Sequence, residues 1–174
     1  PPGLRPALTA HGGVVMDEQM VAVGGRALQV SSVGSGPVTL VILSGSNILF
    51  PGLEYAPLAD ALREWYSVLI PSKFGYGFSD LTEAPRDVDT VVEEYRRVLA
   101  ALKHPFPVVL AAHSMGFLEA LHWASKYPEE ISALVGLPMP IRTWIFPLSC
   151  AIWNIWAAPT GSEPYFSSSL PTLC

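Results

Sequence analysis

The sequence lacks most of the features that would assign a protein to a class on composition alone. Its two cysteines, Cys150 and Cys174, have neither the spacing of metal ligands nor the density of a disulfide framework. Its ten lysines and arginines are spread along the chain, with no cluster larger than Arg96-Arg97, and its net charge is -5, so no basic surface for nucleic acid is expected. Gly34 and Gly36 precede a proline and no helix, which predicts a turn and not a nucleotide-binding loop. We expect no metal, no cofactor and no nucleic-acid partner.

Membrane-spanning and targeting patterns are missing as well. The apolar stretch at residues 144–158 is interrupted by Pro147 and is shorter than the roughly 20 residues that a spanning helix needs. The sequence begins at Pro1 and shows no charged segment followed by an apolar one. We therefore expect little membrane contact and a cytoplasmic location, with a natural start at Met16 or Met20.

Apolar residues are abundant and regularly arranged. Half of the chain is hydrophobic (50%) and 14% is charged, a composition that fits one domain with a buried core. Strands and helices alternate from residue 38 onward, which predicts a parallel sheet with right-handed crossovers. The predicted strands are residues 20–23, 27–32, 38–43, 67–70, 107–112 and 131–137, and the predicted helices are residues 57–65, a helix from 90 and one ending near 127.

A strand, a sharp turn and a helix are predicted around Ser114. The apolar run that ends at Ala112 is followed by His113, and a helical pattern starts immediately after the serine. Ala112 and Gly116 are small residues on either side of Ser114, as a tight turn between a strand and a helix requires. This pattern is typical of a nucleophile elbow, in which the serine adopts a strained conformation with positive φ.

A capping box is predicted at residues 90–93, where Thr90 would open the helix and Glu93 would bond back to its start. Asp87 and Asp89 lie close to the positive end of this helix, so we interpret both as capping residues and not as catalytic ones.

Four segments in this order resemble the α/β-hydrolase superfamily, and within it the serine hydrolases with a helical cap. They are Ser44-Gly45 after one strand, residues 74–80 after the next, residues 113–116 at the turn and residues 123–130 behind it. The resemblance covers roughly residues 20–137, the N-terminal half of the usual fold. It implies a mostly parallel α/β sheet with helices on both faces, which stops after the strand that follows the nucleophile helix.

The resemblance also implies roles for three residues. Ser114 matches the nucleophile, the backbone N–H of Met115 matches one oxyanion-hole donor, and the backbone N–H of Ser46 matches the second. Two positions depart from the usual pattern: Ser44 stands where a His is usual, and Phe117 is bulkier than the usual residue. The implied activity is hydrolysis of an ester, thioester or amide through an acyl-enzyme, with a small-molecule acyl substrate.

A serine nucleophile needs a histidine base and an acid, which follow it in the order acid, then histidine, in this superfamily. No Asp follows Ser114, and the only candidates are His122 and the acids Glu119, Glu129, Glu130 and Glu163. His122 lies about 12 Å along the helix axis at ~1.5 Å per residue, so we exclude it as the base. We interpret His104 and His113 as structural residues. The chain by itself is expected to be nearly inactive unless a partner supplies the missing groups.

The expected domain organisation has three parts. Residues 1–18 would be a poorly ordered leader, residues 19–137 the N-terminal part of the hydrolase core, and residues 138–174 the start of a cap or an atypical hydrophobic tail. For the last part, a cap helix, an interfacial segment and a read-through artefact stay open. Because the strand at 131–137 would lack a neighbour on one side, its apolar edge is expected to favour association with another chain.

Two further functions compete with a serine hydrolase. The first is a non-catalytic module of hydrolase-like fold that binds a small ligand or a partner protein. The second assigns the tryptophan-rich tail from Trp144 to a membrane surface.

Overall fold

The computed structural model describes residues 14–137 and, as backbone, residues 153–157. The strands are β1 (Asp17–Val23), β2 (Arg26–Val33), β3 (Val38–Leu43), β4 (Tyr66–Pro71), β5 (Val108–His113), β6 (Ile131–Leu137) and β7 (Trp153–Ala157). The helices are α1 (Pro51–Glu54), α2 (Ala56–Leu62), α3 (Val88–Ala101) and α4 (Met115–Lys126), and a 3-10 turn covers Pro128–Glu130.

One mixed sheet joins all the described strands, in the order β1-β2-β4-β3-β5-β6-β7. β3, β4, β5 and β6 pair in parallel, whereas β1, β2 and β7 pair in antiparallel fashion at the two ends. The continuous apolar sequences of the parallel strands suit strands that are covered on both faces. This confirms the predicted mostly parallel α/β sheet.

Two apolar cores cover the two faces of this sheet, which explains why β3 and β4 have no polar face. Val41 and Leu43 of β3 belong to the core under α3 and α4, where the fully buried Trp123 stacks near Tyr95. Leu40 and Ile42 of the same strand belong to the opposite core, which α2 covers. Burying a large aliphatic side chain contributes about 1.5–3 kcal/mol. The helices therefore lie on both faces, as predicted.

The parallel arrangement brings three loops to one edge of the sheet. The loops after β3, β4 and β5 all leave the carboxyl ends of their strands, and these strands are neighbours in the sheet. In open α/β sheets, ligands bind in the crevice outside these strand ends. The fold thus places Ser44, Ser72 and Ser114 at the start of loops on one edge.

The start of α3 differs from the predicted capping box. The helix begins at Val88, two residues earlier than predicted, and the Asp87 carboxylate accepts a hydrogen bond from the Thr90 N–H at 2.8 Å. Asp87 is therefore the N-cap, as interpreted, because its side chain reaches the third free N–H of the helix. Asp89 is not a cap: its carboxylate pairs with Lys126 and His122 of α4.

The ends of the core also differ from expectation. β1 begins at Asp17, and Met16 is buried against the core that α2 covers, so the ordered fold reaches into the predicted leader. The expectation of an open edge at residues 131–137 is wrong. β7 pairs with β6 through Ala133 and Gly136, so backbone hydrogen bonds of β7 occupy that edge. The predictions for residues 138–152 and 158–174 lie outside the described residues. Across the part that is described, no helix combines the length and apolarity that crossing a bilayer requires.

His104 follows α3 and has a structural role, as interpreted from the sequence. Its ring Nδ1 lies 3.0 Å from the Thr39 hydroxyl of β3, and burial lowers the pKa of His104 below its ordinary 6.5. The folded protein therefore favours the neutral ring, while the unfolded chain takes up a proton near pH 6.5. The stability that this difference provides is complete above that pH and is lost as the pH falls below it.

We expect the free energy of unfolding to decrease between about pH 7.5 and pH 5.5, and to decrease less in His104→Asn, whose amide can still reach the Thr39 hydroxyl. Urea unfolding of both proteins at the two pH values measures this contribution. An equal decrease in both proteins would contradict it.

Candidate active site

Ser114 occupies the turn between β5 and α4 in a strained backbone conformation. Its φ is 53° and its ψ is -121°, and it is the N-cap of α4 without a side-chain capping bond. Non-glycine residues with such angles cost of order 1–3 kcal/mol and persist only where their surroundings enforce them. The predicted positive φ is confirmed, and the Ser114 side chain is exposed to solvent.

The small residues around the turn allow three backbone segments to meet. A methyl group built on Gly116 would lie 2.4 Å from the carbonyl oxygen of Leu43 and 2.8 Å from that of Ser44. A methyl group built on Gly45 would lie 3.0 Å from the Cβ of Ser114. The first turn of α4 therefore lies directly on the end of β3, and the loop after β3 lies against the serine.

Two backbone N–H groups near Ser114 have no acceptor among the described residues. Met115 is the first residue of α4, where the N–H has no intrahelical partner. Ser46 lies in the loop after β3, one residue beyond Gly45. Among the hydrogen bonds found within residues 14–137, neither the Met115 N–H nor the Ser46 N–H is a donor. Both groups are therefore free to bind an oxygen atom from a ligand.

A cavity of about 630 Å³ opens beside the turn. Its lining includes both Ser46 and Met115, but not Ser114 itself, which adjoins it through Met115. The rest of the wall is largely apolar and comes from the loop after β4 and from α3 and α4. Leu81 and Leu118, which line the opening, are 82% and 57% exposed.

His113 is buried immediately before Ser114. It is 7% exposed, and neither ring nitrogen has a hydrogen-bond partner among the described residues. Burial lowers the pKa of the ring, so it is neutral near pH 7. Its Nδ1 would lie 2.9 Å from a methyl group on Gly45, which shows that the ring packs against the loop after β3. This agrees with a structural role for His113.

Of the candidates that follow Ser114 in the described part of the chain, His122, Glu119 and Glu130 are engaged elsewhere, and Glu129 is exposed in the 3-10 turn beyond the far end of α4. His122 lines the cavity, but its Nε2 lies 2.9 Å from a carboxylate oxygen of Asp89. Glu130 pairs with Arg96 and accepts the indole N–H of Trp123 at 2.8 Å. The structure thus does not assemble an acid and a base around Ser114 from these residues.

Sequence reasoning missed a buried polar cluster next to the turn. Lys73 forms an ion pair of 2.6 Å with Glu119 and donates to the Ser44 carbonyl at 3.0 Å. The Tyr95 hydroxyl donates to the second Glu119 oxygen at 3.0 Å. The signal was a glutamate on the apolar side of α4, beside Ala120 and Trp123, because charged side chains are rarely buried without a partner.

Comparison with known proteins places this architecture among characterised folds. The sequence model of the alpha/beta hydrolase fold family matches residues 42–157. Uncharacterized protein YbdG of Bacillus subtilis (strain 168) is 36% identical over 129 residues, which cover 72% of this chain and 40% of that protein. The pimeloyl-acyl-carrier-protein methyl ester esterase of Chromobacterium violaceum is 29% identical over 147 residues, covering 82% of this chain and 54% of the esterase.

A solved structure shows the same fold. Epoxide hydrolase VrEH1 from Vigna radiata superimposes with a TM-score of 0.64 at 24% identity, over 72% of this chain and 40% of that enzyme. This chain therefore spans about half or less of the length of the proteins it matches. The family match covers the three loops at the carboxyl edge of the sheet, including the turn at Ser114. The chain belongs to the alpha/beta hydrolase family.

Proposed function

We propose that the natural protein containing this chain is a serine hydrolase that cleaves an ester, thioester or amide through an acyl-enzyme on Ser114. The observation that carries the proposal is the strained Ser114 between two free backbone donors. A serine in this conformation has its hydroxyl lifted away from the backbone, where it can reach a carbonyl carbon. A catalytic role for Ser114 would give a reason for the cost of that strain in folding stability.

The N–H groups of Met115 and Ser46 would form the oxyanion hole. Attack on an acyl carbon develops negative charge on the carbonyl oxygen, and preorganised N–H groups stabilise that charge in the transition state. Each such donor contributes roughly 3 kcal/mol. The Met115 donor also lies at the positive end of α4, which adds to the stabilisation of an anion.

The cavity would accommodate an apolar portion of the substrate. Its wall includes Val88, Val91 and Leu118, and apolar surface dominates pockets that bind small organic molecules. The similarity to a methyl ester esterase supports an ester as the first substrate class to test. The acid and the histidine that activate Ser114 would come from parts of the natural protein outside the described residues.

A fluorophosphonate probe tests the proposal directly, because it reacts with activated serines and stays attached. We expect the complete natural protein to gain one probe adduct, located by peptide mass spectrometry on the peptide containing Ser114. The adduct should be missing in Ser114→Ala and present in Ser125→Ala, a matched control on the exposed face of the same helix. Labelling of Ser114→Ala equal to that of the wild type would reject the assignment.

A non-catalytic module is the second candidate, favoured by the engagement of His122 and Glu119 in other contacts. It predicts that the complete protein binds an apolar ester without hydrolysing it. Calorimetric binding combined with an unchanged ester after prolonged incubation would support this module over the hydrolase.

A further inference from the structure

The buried pair of Lys73 and Glu119 connects three elements of the candidate site. Lys73 lies in the loop after β4, Glu119 lies on α4, and the Ser44 carbonyl that Lys73 binds starts the loop after β3. The side chains of Lys73 and Glu119 are 10% and 6% exposed. The pair therefore joins the loop that carries Ser46 to the helix that carries Met115.

Stability alone does not account for this pair. Removing two charges from water costs several kcal/mol per ion, and apolar replacements of buried ion pairs are often neutral or stabilising. A buried ion pair therefore needs a reason other than stability. The contact that distinguishes this pair is the bond from the Lys73 ammonium to a backbone carbonyl, because it fixes the position of a loop.

The Ser44 carbonyl is held from two sides. Lys73 donates to it at 3.0 Å, and Gly116 approaches it so closely that a methyl group there would lie 2.8 Å away. Because a peptide group is planar, fixing the oxygen of Ser44 fixes the direction of the Gly45 N–H and limits the next peptide, which contains the Ser46 N–H. The charge of Lys73 makes this hydrogen bond stronger than one between neutral groups.

We infer that Lys73 is a positioning residue, which holds residues 44–47 so that the Ser46 N–H faces the same point as the Met115 N–H. Glu119 neutralises Lys73, and Tyr95 fixes Glu119 by donating to its second oxygen. The inference rests on the proposed function for its effect on catalysis. Its effect on the loop is independent of any activity.

The test compares two paired substitutions in the complete natural protein. Lys73→Met with Glu119→Gln removes both charges and the bond to Ser44, while the new amide can still accept from Tyr95. Arg63→Met with Asp60→Asn is the matched control, since it removes an exposed Arg–Asp pair whose residues do not line the cavity. Tyr95→Phe is a milder third variant, which loosens Glu119 without leaving a buried charge unpaired.

Hydrogen exchange measured by mass spectrometry reports how well the loop is held, and ester kinetics report the activity of the site. In the variant with both Lys73 and Glu119 replaced, we expect the amide hydrogens of residues 44–47 to exchange about tenfold faster. We also expect kcat to fall about 100-fold with KM nearly unchanged, because a misplacement of about 1 Å at a reacting group can lower the rate by about that factor. Tyr95→Phe should move both quantities in the same direction by less. The Arg63/Asp60 control should leave both unchanged.

Each outcome separates this inference from the proposed function. Unchanged exchange at residues 44–47 in the Lys73/Glu119 pair and in Tyr95→Phe would overturn the positioning role, whatever the activity. A loss of folding stability in the Lys73/Glu119 variant with an unchanged kcat would also overturn the positioning role, because a pair that only stabilises the fold would give that result. A wild-type protein that hydrolyses no ester, thioester or amide would reject the proposed function, and faster exchange in the loop would still support the role of Lys73.

Discussion

Replacing Ser114 with alanine is expected to lower kcat for ester hydrolysis by the complete natural protein on the order of 10⁶-fold, leaving only the residual rate that the oxyanion hole and substrate binding provide. The proposed reaction begins with attack by the Ser114 hydroxyl, so without that oxygen no acyl-enzyme can form. The strained backbone at Ser114 should tolerate alanine, because its angles are imposed by the packing of Gly116 and Gly45. Steady-state kinetics with a chromogenic ester, at matched protein concentration, measures the effect.

Two controls make this result specific to the serine. Ser125→Ala changes the same residue type on an exposed position of α4 and should keep kcat within about twofold, as most surface substitutions far from a site do. Urea unfolding of Ser114→Ala should show a free energy of unfolding no lower than that of the wild type. An activity that survives in Ser114→Ala would place the nucleophile elsewhere and remove the main support for an acyl-enzyme.

The central part of the fold could be predicted from the sequence because its signals are local. The predicted strands at 38–43 and 131–137 match β3 and β6 at both ends, since each is a continuous apolar run bounded by polar or turn residues. The positive φ of Ser114 could also be predicted, because Ala112 and Gly116 sit beside it at fixed spacing. In these places, residue type and spacing determine the structure with little help from distant contacts.

Other features depend on contacts that no local pattern encodes. Lys73 and Glu119 are separated by 46 positions, and only the sheet order brings the loop after β4 next to α4. The capping box predicted at Thr90 is wrong because Asp87 and Thr90 are both good capping residues, and the structure selects the earlier one. The pairing of β7 with β6 depends on the path of a chain segment whose composition matched several alternatives.

Glycine to alanine at position 116 is expected to destabilise the protein and to reduce its activity, although helix propensity alone predicts the reverse. Alanine is favoured over glycine by roughly 1 kcal/mol inside a helix. Here the added methyl group would lie 2.4 Å from the Leu43 carbonyl oxygen, a backbone atom held within the sheet. Overpacking typically costs about 1–3 kcal/mol, and a clash with a fixed backbone atom belongs in the upper part of that range. After the gain in helix propensity is subtracted, we expect a net loss of about 1–2 kcal/mol in the free energy of unfolding.

Activity should fall in Gly116→Ala because α4 must move away from β3, and Met115 moves with it. Gly136→Ala is the matched control: its methyl group would meet only the half-buried ring of Phe117, at 3.3 Å, and a side chain can shift where a backbone carbonyl cannot. Urea unfolding and ester kinetics on both variants separate the two cases. If Gly116→Ala proved more stable than the wild type, the close approach of α4 to the end of β3 would be refuted. The proposed orientation of the Ser46 and Met115 N–H groups toward one point depends on that approach and would be refuted with it.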